Sequence, residues 1–351
     1  MSTLVVGTMS GTSLDGIDVA LCRFKDSKKG WIFDIVDAQT FPYPNGWIKK
    51  INSAPGLRAE EFLKLHNEYG CYNGDLINRF LEGKETPLLI ASHGHTIFHQ
   101  PENRFTFQLG NGASIASATG ITTVSDFRSF DVALGGQGAP LVPIGDLLLF
   151  PEYDYCLNIG GFANISFDQD GTRIAFDVSP ANIVLNNLAQ QKGYAFDRDG
   201  QLGASGIVNA SLLKKLNGLK FYDQKWPKSL GREWIDTQVS PLLSASDLSI
   251  EDQAATFYEH IAVQISKIVP KKGRILLTGG GSKNIFLVDQ LKQKTNCMIV
   301  LPEEKLIDFK EALIFAFLGM LAFNGQVNIL SSVTGSKHDL IGGVIHHIGI
   351  K

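Results

Sequence analysis

LVVGTMSGTSLDGIDVALCRF, residues 4–24, decides how the chain reads. Leu4 to Gly7 forms a short β-branched strand, and Ile17 to Phe24 resumes as an alternating one. Between them lies a polar segment, Gly7 to Gly16, rich in glycine, Ser and Thr. The spacing predicts a hairpin with a glycine-rich tip. A second such pattern follows: strand Tyr155 to Ile159, loop Gly160 to Asn164, strand Ile165 to Phe167, a turn at Asp168 to Gly171, and strand Arg173 to Phe176. Strand, glycine loop, strand in each half points to two related α/β halves. A third loop, Gly279 to Gly281, follows a strand at Arg274 to Thr278, with Ser282 expected as a helix N-cap.

Helical periodicity fills the intervals at Arg58 to Leu81, Ala181 to Gln191, Glu251 to Ile268 and Lys310 to Phe323. The expected architecture is α/β, two-lobed around a central cleft, with mixed sheets flanked by helices. Lobe boundaries are placed at residues 1–135 plus 336–351 and at 136–335, a last strand near Leu340 to His347 returning to the first lobe. The 351 residues suffice for two domains. Lys+Arg 32 against Asp+Glu 35 offers no basic surface for nucleic acid. The longest apolar run, Ala312 to Phe323, is shorter than the roughly 20 residues that span a bilayer. The opening residues have neither a basic segment nor a long apolar stretch, which argues against a secretory leader. Cys22, Cys71, Cys156 and Cys297 are widely separated, so no disulfide scaffold or zinc ribbon is expected and a reducing cytoplasm suits the chain.

Glycine exposes backbone N–H groups and admits close approach, and flanking hydroxyls complete a phosphate cradle. Gly11 to Gly16, Gly160-Gly161 and Gly279 to Gly281 all follow strands, as nucleotide-phosphate loops do; singly, each also reads as a tight turn. No Walker loop and no GxGxxG after a strand is present. Asp15 suits Mg²⁺ held through water, or a turn-stabilising role. Asp177, at the end of its strand, reads equally as a general base or a helix cap. Glu311 reads as a favourable first-turn charge or as a second pocket carboxylate. His93 and His95 share a strand face and, with His99, suggest a metal site; the missing acidic ligand favours a polar or sugar-contacting role. Asp126, Arg128 and Asp131 form a compact charged group, for a polar ligand or a surface salt bridge. Lys228 and Arg232 read as solvated.

GTMSGTSLDGIDVAL (7–21), SHGHTIFHQP (92–101), DFRSFDVALGGQGAPLVP (126–143), NIGGFANIS (158–166), PKSLGRE (227–233), TGGGSKN (278–284), EALIFAFLG (311–319) and NILSSVTG (328–335) together resemble the anhydro-N-acetylmuramic acid kinase family over essentially the whole chain. The resemblance implies the two-lobed actin-like, sugar-kinase fold, with ATP and Mg²⁺ as cofactors. It also implies hydrolytic opening of a 1,6-anhydro amino sugar coupled to phosphorylation of its 6-oxygen. Asp177 would be the base, with Glu311 near the reacting water. Gly11, Thr12, Ser13, Leu14, Asp15, Gly16 and Asp18 would hold phosphates, Gly160, Gly161 and Asn164 would clamp them, and Gly279, Gly280, Gly281 and Asn284 would approach the adenosine. His93, Asp126 and Arg128 would contact the sugar. The expected partner is a small amino sugar, not nucleic acid or membrane, and a homodimer is left open. Two departures stand out: Asp177-Val-Ser-Pro-Ala-Asn182 replaces the family's Asp-Thr-Gly-Pro-Gly-Asn, and His95 stands where Gln is usual. The other readings are an ATP-driven conformational switch and a metal hydrolase built on the histidines.

Overall fold

The computed structural model describes residues 2–11, 13–269 and 272–349; Thr12, expected at the phosphate loop, lies outside them. The chain divides into two compact units, residues 1–150 with 309–351 and residues 151–308. The lobe boundaries expected near 135 and 335 therefore move. The helix Val142–Leu149 stays with the first unit because Gly145 lies against Ile314, where a Cβ would come within 2.8 Å of Cγ1. On the C-terminal side the division falls inside the helix Glu304–Phe323.

The first unit is built on β1 (Thr3–Ser10), β2 (Gly16–Ser27), β3 (Gly30–Pro42), β4 (Leu89–Gln100), β5 (Phe105–Leu109) and β6 (Thr123–Ser125). Its sheet runs β12-β6-β4-β1-β2-β3, with β5 beside β4 and β12 (Val344–His346) returning as expected. β1 and β2 pair antiparallel from Thr3↔Phe24 to Met9↔Asp18, so the predicted hairpin is present with a shorter tip; Gly7 to Ser10 belong to the strand. Gly7 is required by packing. A Cβ there would sit 1.9 Å from the Ala312 carbonyl oxygen, so β1 and the helix Glu304–Phe323 approach at backbone distance. This helix buries Ala312 to Ala322, which explains the apolar run without a membrane. Among the described residues no helix is long and apolar enough to cross one. A separate core joins Val6, Val19 and Leu21 of the hairpin to Leu65, Tyr69 and Ile77 of the helix Ala59–Leu81.

The second unit has a sheet of β7 (Tyr155–Ile159), β8 (Phe162–Gln169), β9 (Thr172–Pro180), β10 (Arg274–Thr278) and β11 (Met298–Val300), ordered β11-β10-β7-β8-β9. β7, β8 and β9 form an antiparallel meander, while β10 lies parallel to both β7 and β11. The helices Asn182–Gln191 and Ile250–Ile268 supply Val184, Leu185, Phe257, Tyr258 and Ile261 to the core around Leu157, Ile165 and Phe176. Each unit thus has a mixed sheet flanked by helices, the expected α/β class. Three local expectations change. β9 continues to Pro180, so Asp177 lies inside the strand and caps no helix. The N-cap of the helix Ile285–Lys294 is Asn284, whose Oδ1 accepts the Leu287 N–H at 3.0 Å, while Ser282 sits in the preceding 3₁₀ turn. Glu311 is about two turns inside its helix, beyond the first-turn dipole.

Candidate functional site

In the first unit the hairpin tip folds back on itself. Leu14, at φ 59°, donates its N–H to the Gly11 carbonyl at 3.4 Å. Ser13 Oγ donates to Asp15 Oδ1 at 2.8 Å, and the Asp15 carboxylate is exposed. That arrangement fits Mg²⁺, which keeps several waters and takes one or two carboxylates. Gly16 is fixed by its neighbours, since a Cβ would meet the Phe41 carbonyl oxygen at 2.4 Å. Gly11 is different: a Cβ would meet nothing closer than Ser13 Oγ at 3.5 Å, so the protein itself does not demand glycine. Asp18 is half-buried on β2, its Oδ1 accepting from Thr40 Oγ1 at 2.5 Å.

β4 and β6 run parallel with Ser92 beside Ser125, which brings the residues just after them, His93 and Asp126, to one end of the sheet. Arg128 Nε donates to His93 Nε2 at 3.0 Å, and Nη1 donates to the Gly138 carbonyl at 2.5 Å. His93 Nδ1 lies 2.9 Å from the Gly94 carbonyl, so its N–H is at Nδ1 and its lone pair faces arginine. Burial and Arg128 both pull the His93 pKa well down. A guanidinium on the ring nitrogen is no partner for a metal ligand, and among the described residues no three His, Cys, Asp or Glu side chains group for metal. Gly94, at φ +74°, separates the two histidines. His95 Nδ1 instead meets Ser10 Oγ at 2.8 Å, and Ser10 Oγ meets Tyr43 Oη at 2.7 Å. The expected shared histidine face is therefore replaced by two separate hydrogen-bonded sites.

Asp126 adopts φ 55°, uncommon outside glycine, with Oδ1 accepting the Ser129 N–H at 3.3 Å. Asp131 belongs to no surface salt bridge. It is fully buried, accepting Thr334 Oγ1 at 2.6 Å and the Gly138 N–H at 2.7 Å. Glu311 is open to water, yet the protein around it strips enough hydration to raise its carboxyl pKa; Arg128 opposes the rise, Asp18 adds to it, and Lys310 opposes it. Arg128, lowered to about 10 by burial while Glu311 and Asp131 sustain its charge, remains a cation at neutral pH.

In the second unit, Asn164 on β8 pairs with Asp177 on β9, so the two side chains leave the sheet on one face. Asp177 Oδ2 accepts the Leu230 N–H at 2.8 Å, and the Asp177 N–H donates to the Lys228 carbonyl at 3.2 Å. Burial raises the Asp177 pKa, and the Leu230 hydrogen bond only partly offsets this. A carboxyl so placed is a stronger proton acceptor than an exposed one. Lys228, expected to be solvated, donates from Nζ to the Phe221 carbonyl at 3.2 Å and lies 4.6 Å from the Phe221 ring centroid. Burial lowers its pKa.

The glycines of this unit separate into two kinds. A Cβ on Gly160, Gly161 or Gly280 would meet no atom closer than 3.8 Å, whereas one on Gly281 would lie 2.4 Å from Ile159 Cγ2. Gly279, at φ +81°, is likewise fixed by Asn158 Oδ1 and the Ile159 carbonyl oxygen, each 2.7 Å from a Cβ. Gly280 and Asn284 line a cavity of about 540 Å³ with Asn182, Asn186, Phe196, Asp197, Arg198 and Lys283. Asn284 Nδ2 donates to Tyr258 Oη at 2.7 Å; Tyr258 donates to Asp197 Oδ2 at 3.0 Å, and Asp197 also accepts the Leu202 and Gly203 N–H groups. The contribution of Phe196 to Asp199 went unread in the sequence. Its signal is Phe-Asp-Arg-Asp-Gly at 196–200, a turn sequence that becomes a wall only through long-range bonds to Tyr258 and Asn284.

Glycine loops that the protein itself leaves open, a half-buried carboxyl primed to accept a proton and a polar cavity beside Gly280 are the parts of a small-molecule kinase. The anhydro-N-acetylmuramic acid kinase family model matches residues 3–348. An anhydro-N-acetylmuramic acid kinase from Francisella tularensis subsp. novicida (strain U112) is 34% identical over 97% of this chain and 98% of its own. Another, from Caldanaerobacter subterraneus subsp. tengcongensis, is 35% identical over 97% of this chain and 96% of its own. The chain belongs to the anhydro-N-acetylmuramic acid kinase family. Among solved structures, a ROK family glucokinase from Streptomyces griseus in complex with glucose and AMPPNP overlaps with a TM-score of 0.39 at 10% identity, covering 90% of this chain and 99% of that one. That overlap is too loose to inform the site.

Proposed function

We propose that the protein is an ATP-dependent kinase that opens the 1,6-anhydro ring of 1,6-anhydro-N-acetylmuramic acid with water and phosphorylates O6, giving N-acetylmuramic acid 6-phosphate. The observation that carries this reading is the raised Asp177 carboxyl, one oxygen tied to the Leu230 N–H and the side chain beside Asn164, in a chain of this family.

The chemistry balances with one water and one ATP. Asp177 accepts a proton from the water as its oxygen bonds to the anomeric carbon. The bond from that carbon to O6 breaks, O6 takes the γ-phosphoryl group, and ADP leaves. Cleavage of a glycosidic bond normally requires an acid on the departing oxygen; here phosphoryl transfer fills that role. In the first unit, Arg128 and Asp126 orient the sugar, His93 holding the guanidinium in plane through its Nε2 lone pair. Glu311 lies near the reacting water in this reading, its charge balanced by Arg128. In the first unit Gly11 to Asp18 are the candidates for ATP phosphates; in the second unit Gly160, Gly161 and Asn164 are. Gly279 and Gly281 shape the loop whose Gly280 and Asn284 face the cavity for adenosine. Asp15 would hold Mg²⁺ through water, and the ion would neutralise phosphate charge. A cytoplasmic setting suits an enzyme that consumes ATP, and a homodimer remains compatible with it.

Incubation with ATP and the anhydrosugar, read by mass spectrometry, should yield a sugar heavier by one phosphoryl group and one water. ATP hydrolysis without any altered sugar would instead identify the conformational switch.

A further inference from the structure

The segment Trp226 to Leu230 lies against β9 where Asp177 sits, and it touches the strand at three successive points. The Trp226 ring stacks on Phe176, centroids 5.9 Å apart and planes 9° from parallel. Phe167 meets both rings edge-on, at 6.2 and 6.5 Å. Next, the Lys228 carbonyl accepts the Asp177 N–H, while its ammonium is anchored between the Phe221 carbonyl and the Phe176 and Phe221 rings. Finally, the Leu230 N–H reaches Asp177 Oδ2. The loop therefore fixes the carboxylate by a backbone donor that is only as well placed as the loop itself. Trp226 remains 43% exposed, a large aromatic side chain that a merely buried anchor would not leave in water.

We propose that Trp226 is a positioning residue for Asp177: its stack on Phe176 holds the loop so that the Leu230 N–H fixes Oδ2 and presents the other carboxylate oxygen to water. This rests on Asp177 being the base. The stack acts on the residue immediately before Asp177, so slippage there rotates the carboxylate without touching the glycine loops or the adenosine cavity. Misplacing a reacting group by about 1 Å can cost on the order of 10²-fold in rate. The loop retains its Lys228 anchor, so the expected loss is smaller.

Trp226→Ala should lower kcat about tenfold and leave KM for ATP and for the anhydrosugar within about twofold, because bound substrates do not report the base's orientation. Trp226→Phe, which restores a ring on Phe176, should recover most of the lost kcat. Asp177→Asn is measured alongside. Should Asp177→Asn turn over normally, the base assignment fails and the Trp226 role falls with it. With Asp177→Asn inactive, wild-type kcat in Trp226→Ala would overturn the positioning role alone. So would a loss that Trp226→Phe does not repair, or one shared equally between kcat and KM.

Discussion

Asp177 combines two opposing influences whose balance has measurable signs. Burial favours its neutral form and the Leu230 N–H favours its charged form, with burial prevailing. Replacing it by Asn keeps the hydrogen-bond acceptor but removes the proton acceptor, so kcat should fall by about 10²-fold or more while ATP binding persists. The same change relieves the cost of an ionised, half-buried carboxyl at neutral pH, so the variant should melt no lower than the parent by calorimetry. Activity requires the ionised base. It should therefore decline as pH falls through a pKa raised from the ordinary aspartate value, and kcat against pH should show that acid limb. His95, held down to about 4 by burial, should add no step between pH 5 and 8. Lys310 and Asp146 illustrate the structural extreme: their ion pair at 2.7 Å is buried on both sides. Lys310→Met removes the cation from this buried ion pair and should cost about 3–5 kcal/mol in denaturant unfolding. Neither this pair nor the His93–Arg128 bond was legible beforehand, because partners 164 and 35 positions apart leave no local pattern. Asp177 itself was legible only as one of two roles, and the strand running to Pro180 removes the helix-cap alternative.

The strands and helices carry most of what the sequence foretold. β-branched alternation located both hairpins, and 3.6-residue periodicity located the long helices; their ends moved where local chemistry is ambiguous. Ser282 and Asn284 are both competent caps, and only the Asn284 bond to Leu287 decides between them. The helix carrying Glu311 begins at Glu304 and not at Lys310, its first turns mixing exposed charges with the half-buried Leu306, Ile307 and Phe309. The glycine loops look alike in sequence and differ in packing. Gly160→Ala should raise KM for ATP with an unchanged melting temperature, as the added methyl makes only ordinary van der Waals contacts, the nearest to Asn158 Nδ2 at 3.8 Å. Gly281→Ala should instead destabilise by about 1–3 kcal/mol through its clash with Ile159. The Val178-Ser179-Pro180-Ala181 departure has an internal explanation. Neither Ser179 nor Ala181 has positive φ, both are fully buried, and Ser179 Oγ bonds the Pro180 carbonyl at 2.5 Å. Restoring both glycines should therefore leave kcat/KM for ATP no higher and cost about 0.5–1 kcal/mol per site, comparing steady-state rates with thermal melts.

The whole molecule distributes its chemistry over two units, each with its own mixed sheet and apolar core. Hydroxyl- and glycine-rich tips occur in both, the charged sugar-contact candidates belong to the first, and the raised aspartate belongs to the second. The two-unit plan was readable from the repeated strand–loop–strand order. The boundaries were not, because the buried half of Glu304–Phe323 lies backbone-close to β1 at Gly7 and Val142–Leu149 packs on that helix where Gly145 meets the Ile314 side chain. The central claim is that one event opens the ring with water and transfers phosphate to the freed oxygen. Turnover of ATP and the anhydrosugar in ¹⁸O-water, with the product fragmented in the mass spectrometer, tests it directly. The account predicts one ¹⁸O at the anomeric hydroxyl and none in the bond between O6 and the sugar; a phosphorylated sugar with its anhydro ring intact, or label on O6, would contradict it.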